Sequence, residues 1–158
     1  MKRKTPAQSR SVISDMMLPS QANPAGNVHG GEIMKIMDTC AGVAAMRHAN
    51  CNVVTLRVDG MVFHSPVYVG QLVLCEAELT FVGRTSMEIR VTLKVEDLTM
   101  DEPARTALSA YFTFVALDHH GRPRPVPGLE LETDQQRQAF EQGQQRYQTY
   151  KAMQRTDR

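Results

Sequence analysis

Between Arg84 and Asp97 the apolar residues Met87, Ile89, Val91, Leu93 and Val95 alternate with Glu88, Arg90, Thr92, Lys94 and Glu96. A period of two over that length predicts a strand with one dry face and one wet face. Gln71 to Val82 alternates less cleanly and is joined to it through Val82-Gly83-Arg84, a hairpin signal. Ala107 to Leu117 supplies another long strand, with Leu108, Ala110, Phe112 and Phe114 on one face. Val53 to Asp59 is a shorter candidate, and Met61 to His64 leads to a break at Ser65-Pro66. Ser11 to Leu18 reads as an edge strand stopped by Pro19, ahead of a segment from Ser20 to Asn27 that is rich in turn formers.

The period changes after His29-Gly30-Gly31. Ile33, Met34, Ile36, Met37, Cys40, Ala41, Val43, Ala44 and Ala45 recur at helical spacings over about four turns. They predict a helix apolar around most of its circumference, ending at Asn50 to Asn52. The fold class that follows is α+β, an antiparallel sheet wrapped on one long buried helix. One sheet and one helix leave the outer sheet face and the strand edges bare, which predicts self-association through paired sheets. Residues 1–10, basic and containing Pro6, read as a flexible leader; residues 11–128 form the domain. Residues 129–158 read as a polar, Gln-rich appendage, helical from Asp134 to Met153.

Composition removes several functional classes. With 158 residues the chain can bury roughly 70% of its unfolded surface in a single core. Lys plus Arg number 18 against 17 Asp plus Glu, so no global field favours nucleic acid polymers or acidic membranes. The longest apolar run, Cys40 to Met46, is far below the ~18 residues a membrane span needs, and the basic start leads into no apolar signal core. The expectation is a cytoplasmic protein without membrane insertion. Cys40, Cys51 and Cys75, odd in number and without C-x-x-C pairing, read as reduced core residues. His48, His64, His119 and His120 show no metal-ligand spacing, and a G-x-S-x-G nucleophile elbow is absent.

One carboxylate stands out. Asp38 lies on the predicted helix among Met34, Ile36, Met37, Ala41 and Val43, where an ionised group must be paired, hydrated or used. Pairing in a structural ion pair is the plainer alternative. At the start of the same helix Gly30-Gly31 permits close backbone approach and offers free N–H groups at the positive end of the dipole, suited to a carbonyl oxygen or oxyanion. Gly31 and Asp38 are ~10 Å apart along the axis. Asn23, in the preceding loop, could donate to a carbonyl or hold a water; its plainer role is an Asx turn before Pro24. Arg84, beside Gly83 and two hydroxyls, is either a phosphate clamp or a solvated surface arginine.

These residues stand in a recognisable order. The run Asn23-Pro24-Ala25-Gly26-Asn27-Val28-His29-Gly30-Gly31 with Met37-Asp38 is followed by Val54-Thr55, then by Phe63-His64-Ser65-Pro66-Val67-Tyr68-Val69-Gly70 and Val82-Gly83-Arg84-Thr85-Ser86. It resembles the hotdog-fold acyl-CoA thioesterases, and within them the YciA-like group and the brain acyl-CoA hydrolases, over residues 11–127. The resemblance implies a long helix wrapped by a curved sheet, dimers joined into one continuous sheet, and hexamers built as trimers of dimers. It places the catalytic pair on Asn23 and Asp38, contributed by opposite subunits. It further puts thioester carbonyl contacts at Gly30 and Gly31, an auxiliary hydroxyl at Thr55, and Gly83, Arg84, Thr85 and Ser86 near the phosphates or adenine of coenzyme A. His29 stands where many YciA-like members carry an aromatic, so its ring either shapes the pocket or assists catalysis; Gln71 replaces a usual Gly-Asp pair. The implied reaction is hydrolysis of acyl-CoA to fatty acid and coenzyme A, with Asp38 as general base on water or as nucleophile. No metal or separate cofactor is expected, since coenzyme A is part of the substrate. Two alternatives stay open: a hotdog dehydratase or hydratase using His64, and a non-catalytic sensor of coenzyme A or nucleotide.

Overall fold

The 20-residue helix α2 (Gly30–Ala49) runs through the centre of the computed structural model, which describes residues 1–157. Ile33, Met37, Cys40, Ala41, Ala44 and Ala45 form its buried face, and the small side chains of its second half let it press closely against the sheet. His29 caps its start, and Asn50, in the left-handed conformation at φ 53°, closes its end.

Five strands wrap α2: β1 (Ser11–Met16), β2 (Asn52–Phe63), β3 (Leu72–Val82), β4 (Ser86–Glu96) and β5 (Arg105–Leu117). All pairings are antiparallel, in the order β1-β3-β4-β5-β2, and every strand touches the helix. The dry face predicted for β4 is the inner face: Met87, Ile89, Val91, Leu93 and Val95 are buried with Leu108, Ala110, Phe112 and Phe114 of β5. β2 differs from the expected pair of short pieces. It is one strand with register shifts after Thr55 and after Asp59, the second eased by Gly60 at φ +58°. It forms one edge of the sheet, and Val54, Leu56, Val62 and Phe63 on it are exposed in the single chain. Among the described residues no helix is long and apolar enough to cross a membrane.

Both chain ends depart from expectation. The leader, read as flexible, is tied down: Lys4 pairs with Leu129, a short helix α1 (Pro6–Ser9) buries Pro6 and Ser9, and the Lys4 ammonium donates to the Arg47 carbonyl and to Asn50 Oδ1. A cation at the negative end of α2 explains why a basic segment orders there. The tail, read as an appendage, is helix α3 (Asp134–Thr156), docked on the outer sheet face. Thr133 and Gln136 cap its start reciprocally. A register shift between Leu79 and Phe81 turns Phe81 outward, where Phe140 and Tyr147 of α3 cover it at 4.9 and 5.4 Å between ring centroids. Glu88, 4% exposed, accepts two hydrogen bonds from Arg146, at 2.9 and 2.8 Å, and one from Thr80. A Cβ on Gly143 would lie 2.6 Å from Phe81 Cβ, so glycine sets how closely α3 approaches. The outer face is therefore covered in part by the chain's own tail.

His48, which motif reading set aside, is a core latch. Its Nε2 donates to the Pro127 carbonyl at 2.6 Å, leaving Nδ1 buried and without a partner among the described residues. Burial holds its pKa below the usual imidazole value; the bond to Pro127 opposes this and the Lys4 ammonium adds to it. The unfolded chain thus takes up this proton more readily than the folded one. The stabilising contribution is full above the unfolded value of about 6.5 and declines as pH falls below it toward the folded value. Denaturant unfolding at about pH 7.5 and about pH 5.5 is expected to show a larger loss for wild type than for His48→Gln. Equal losses would clear His48 of that role.

Candidate active site

Asp38 sits half-buried in the second turn of α2 beyond Gly31, facing β2. Its Oδ1 accepts a hydrogen bond from Thr55 Oγ1 at 2.6 Å, and no Lys, Arg or His forms a salt bridge with it among the described residues. Thr55 lies opposite Phe114 in the ladder, and Phe114 abuts α2 at Gly42, so the hydroxyl is on the helix side of the sheet. The Asp38 carboxylate and the Thr55 hydroxyl, distant in sequence, are brought together by the fold. One lone pair set on Asp38 is engaged; the second oxygen is left to act on a proton.

Asn23 forms the Asx turn expected before Pro24. Its Oδ1 accepts from the N–H groups of Ala25 and Asn27, at 3.0 and 3.1 Å, and its backbone N–H donates to the Asn27 carbonyl at 2.7 Å. That Asx turn, completed by Gly26 at φ +88°, fixes the amide orientation and leaves the Nδ2 donors without a partner among the described residues. Asn23 makes no hydrogen bond to Asp38 within one chain.

The helix start is only half as open as expected. Gly31 N–H donates to His29 Nδ1 at 2.9 Å, so one of the two amides read as free is occupied by the cap. The competing acceptor is local: a ring at the N-cap reaches the second helical N–H, as capping side chains do. This fixes the His29 proton on Nε2. Gly30 N–H keeps no partner among the described residues, and a Cβ on Gly30 would lie 3.7 Å from the Phe63 ring, so the end of β2 walls this amide.

Gly83, Arg84, Thr85 and Ser86 turn the β3–β4 hairpin, with Gly83 N–H donating to the Ser86 carbonyl at 2.9 Å. Ser86 lies opposite Val115, whose neighbour Phe114 points at the helix. Ser86 is therefore on the outer face, under α3, while Asp38 and Thr55 are on the inner face. One chain does not bring these two groups together. The features that sequence reading missed are on that outer face: the Glu88–Arg146 pair and the approach of Tyr147 to Gly83. Phe140, Gly143, Tyr147 and Tyr150, spaced by three and four in a polar helix, were the available signal. A cleft of about 570 Å³ between α3 and the outer face, lined by Glu78, Arg90, Gln136 and Gln142 among others, contains none of the predicted site residues. His64 Nε2 stands 3.5 Å from Ser109 Oγ, with no acidic partner of the kind a dehydratase would use.

A family model described as the thioesterase superfamily matches residues 25–100. The cytosolic acyl coenzyme A thioester hydrolase of Mus musculus is 38% identical over 149 residues, which are 94% of this chain and 39% of that protein. The chain thus spans about two fifths of the length of that relative. The acyl-CoA thioester hydrolase YciA of Salmonella typhimurium is 35% identical over 122 residues, 76% of this chain and 92% of that protein. Among solved structures, the Staphylococcus aureus acyl-CoA hydrolase in complex with butyryl coenzyme A, coenzyme A and coenzyme A disulfide superposes with a TM-score of 0.88 at 30% identity, over 98% of this chain and 94% of that one. Variants of that enzyme with a single asparagine, aspartate or threonine changed to alanine superpose comparably, the asparagine variant in complex with coenzyme A. A hexameric acyl-CoA thioesterase without ligand gives a TM-score of 0.90 at 31% identity, over 97% of each chain.

Proposed function

This chain belongs to the thioesterase superfamily, and from that premise we propose that it hydrolyses acyl-CoA thioesters to the free acid and coenzyme A. The observation that carries the reading is Asp38: a half-buried carboxylate with no cation against it, positioned by one hydroxyl and facing an open strand edge. Thr55 holds Oδ1, and the other oxygen takes the proton of an attacking water, or attacks the carbonyl carbon itself. Gly30 N–H, at the positive end of α2, receives the oxygen of the tetrahedral intermediate. On the water route Asp38 returns the proton it took to the departing thiolate of coenzyme A. On the nucleophilic route coenzyme A leaves as the thiolate, and the water that then cleaves the anhydride releases the acid, regenerates Asp38 and supplies the thiolate's proton. Asn23 Nδ2 orients the water or the carbonyl from the other subunit.

A second copy supplies what one chain lacks. The free β2 edge, with Val54, Leu56, Val62 and Phe63 exposed, suits a continuous two-chain sheet, and three such dimers form the hexamer. The S. aureus variants support the residue assignment: their asparagine, aspartate and threonine are separated along the chain by the same intervals as Asn23, Asp38 and Thr55.

The test is thiol release from a chain-length series of acyl-CoAs, run beside hydration of an enoyl-CoA. Release without hydration supports the hydrolase; hydration alone would favour the dehydratase, and tight coenzyme A binding with neither would favour the sensor. Asn23→Asp sharpens the assignment, because a carboxylate preserves the Asx turn and removes the donor. It is expected to fold as wild type and to lose turnover about 10²-fold. Unfolding and reassembling that variant with Asp38→Asn should restore roughly a quarter of wild-type turnover, since half of the random dimers pair one intact site with one doubly altered site. No recovery would place both residues in the same subunit's site.

A further inference from the structure

The first register shift in β2 has the candidate base on one side of the sheet and α3 on the other. Thr55 and Arg57 are two residues apart, and in a regular strand they would face the same side. Leu56 is an extra residue between them, since Thr55 lies opposite Phe114 and Arg57 opposite the adjacent Thr113. Thr55 therefore faces α2 and donates to Asp38, while Arg57 faces outward under α3. Continued regularly from Arg57, β2 would turn the Thr55 hydroxyl to the outer face, away from the carboxylate.

Contacts on the outer face hold that extra residue in place. The Arg57 side chain is 16% exposed; its guanidinium lies 3.6 Å from the centroid of the Tyr150 ring and its Nε 2.6 Å from Asp59 Oδ2. Nε and Oδ2 make no hydrogen bond among the described residues, so the two meet as charges and the ring fixes the plane of the guanidinium. The arginine has no place inward, where Val58 packs opposite Phe112 in the core. Tyr150 follows Arg146 by one turn, and Arg146 lies 3.7 Å from the ring of Tyr111, which faces Asp59 in the ladder. A β2 arginine on an α3 ring and an α3 arginine on a β5 ring thus lace the helix to both strands.

We infer that Arg57, clamped between Tyr150 and Asp59, is a positioning residue: it fixes the bulge that aims the Thr55 hydroxyl at Asp38, and through it the outer-face helix governs the inner-face chemistry. The effect on turnover rests on the hydrolase reading above; the effect on the strand does not.

Tyr150→Leu removes the stack and leaves Arg57, Asp59 and the Glu88–Arg146 pair in place, whereas Tyr150→Phe keeps the ring. Both are measured in the full chain, alone and combined with Thr55→Val. Tyr150→Leu is expected to lower kcat for acyl-CoA about fivefold with little change in KM, and Tyr150→Phe to stay near wild type. In the Thr55→Val background Tyr150→Leu should cost nothing more, because the hydroxyl it aims is already gone. The same fractional loss in both backgrounds, or a Phe variant as slow as the Leu variant, would overturn the inference. Amide hydrogen exchange over residues 54–58, without substrate, should quicken in Tyr150→Leu and hold in Tyr150→Phe; equal exchange in all three proteins would also overturn it. If exchange responds in this way while even the wild type releases no thiol from acyl-CoA, the hydrolase reading fails and the clamp on the strand stands.

Discussion

Asp38→Asn is expected to lower acyl-CoA turnover at least about 10²-fold with the fold intact, since general base or acid help is worth about 10²–10⁴-fold. The variant separates chemistry from structure because the asparagine carbonyl can still accept the Thr55 hydroxyl that holds Oδ1 at 2.6 Å. An amide has no useful basicity, so neither water activation nor attack on the thioester survives. No cation loses a partner, as Asp38 has no salt bridge among the described residues. Stability should hold or rise slightly, because a neutral group costs less to keep half-buried than a charged one. Michaelis constants should move little, as the group acts in the transition state. Turnover within a few-fold of wild type would remove Asp38 from the chemistry. A single turnover in oxygen-18 water adds a diagnostic: label in the Asp38 carboxylate identifies an anhydride opened at the aspartyl carbon, and an unlabelled Asp38 is the expected result of direct water attack.

The largest loss of stability should follow Arg146→Ala. Glu88 is 4% exposed and its two oxygens share Arg146 and the Thr80 hydroxyl, so removing the guanidinium strands a buried charge. Breaking one side of a buried pair costs roughly 3–5 kcal/mol. The Arg146 side chain retains 27% of its exposure, which places this pair at the lower end, about 3 kcal/mol. The guanidinium also lies 3.7 Å from the centroid of the Tyr111 ring, and truncation removes that cation–π attraction as well. Loss of α3 docking should appear as early tryptic cleavage within 134–156, ahead of global unfolding. The double variant Glu88→Gln with Arg146→Met should be more stable than Arg146→Ala alone, since it removes the stranded charge. A single variant that unfolds at the wild-type denaturant midpoint would show that the pair contributes nothing net.

Much of this protein could be read directly. Periods of two and near 3.6 report which side of a segment is dry, a property of local averages, and so the inner face of β4, the buried helix from Gly30 and its stop at Asn50 were all legible. The Asx turn at Asn23 was legible too, because its partners lie within four residues. The order of short motifs carried the family. What tertiary structure alone decided is which polar group meets which. Asp38 and Thr55 join two elements, and their meeting depends on a strand register that slips twice in β2. A single extra residue at Thr80 turned Phe81 from the core side to the outer side and gave α3 its landing site. α3 itself hid in a polar composition, because its binding energy comes from a few rings and one ion pair whose burial exists only when both elements are present. The placing of Asp38 and Ser86 on opposite sheet faces belongs to the same class, whereas the capture of Gly31 N–H by His29, two residues away, is local. Chain pattern sets which surfaces must be covered, while the choice of partner for each donor and acceptor is settled only by packing in three dimensions.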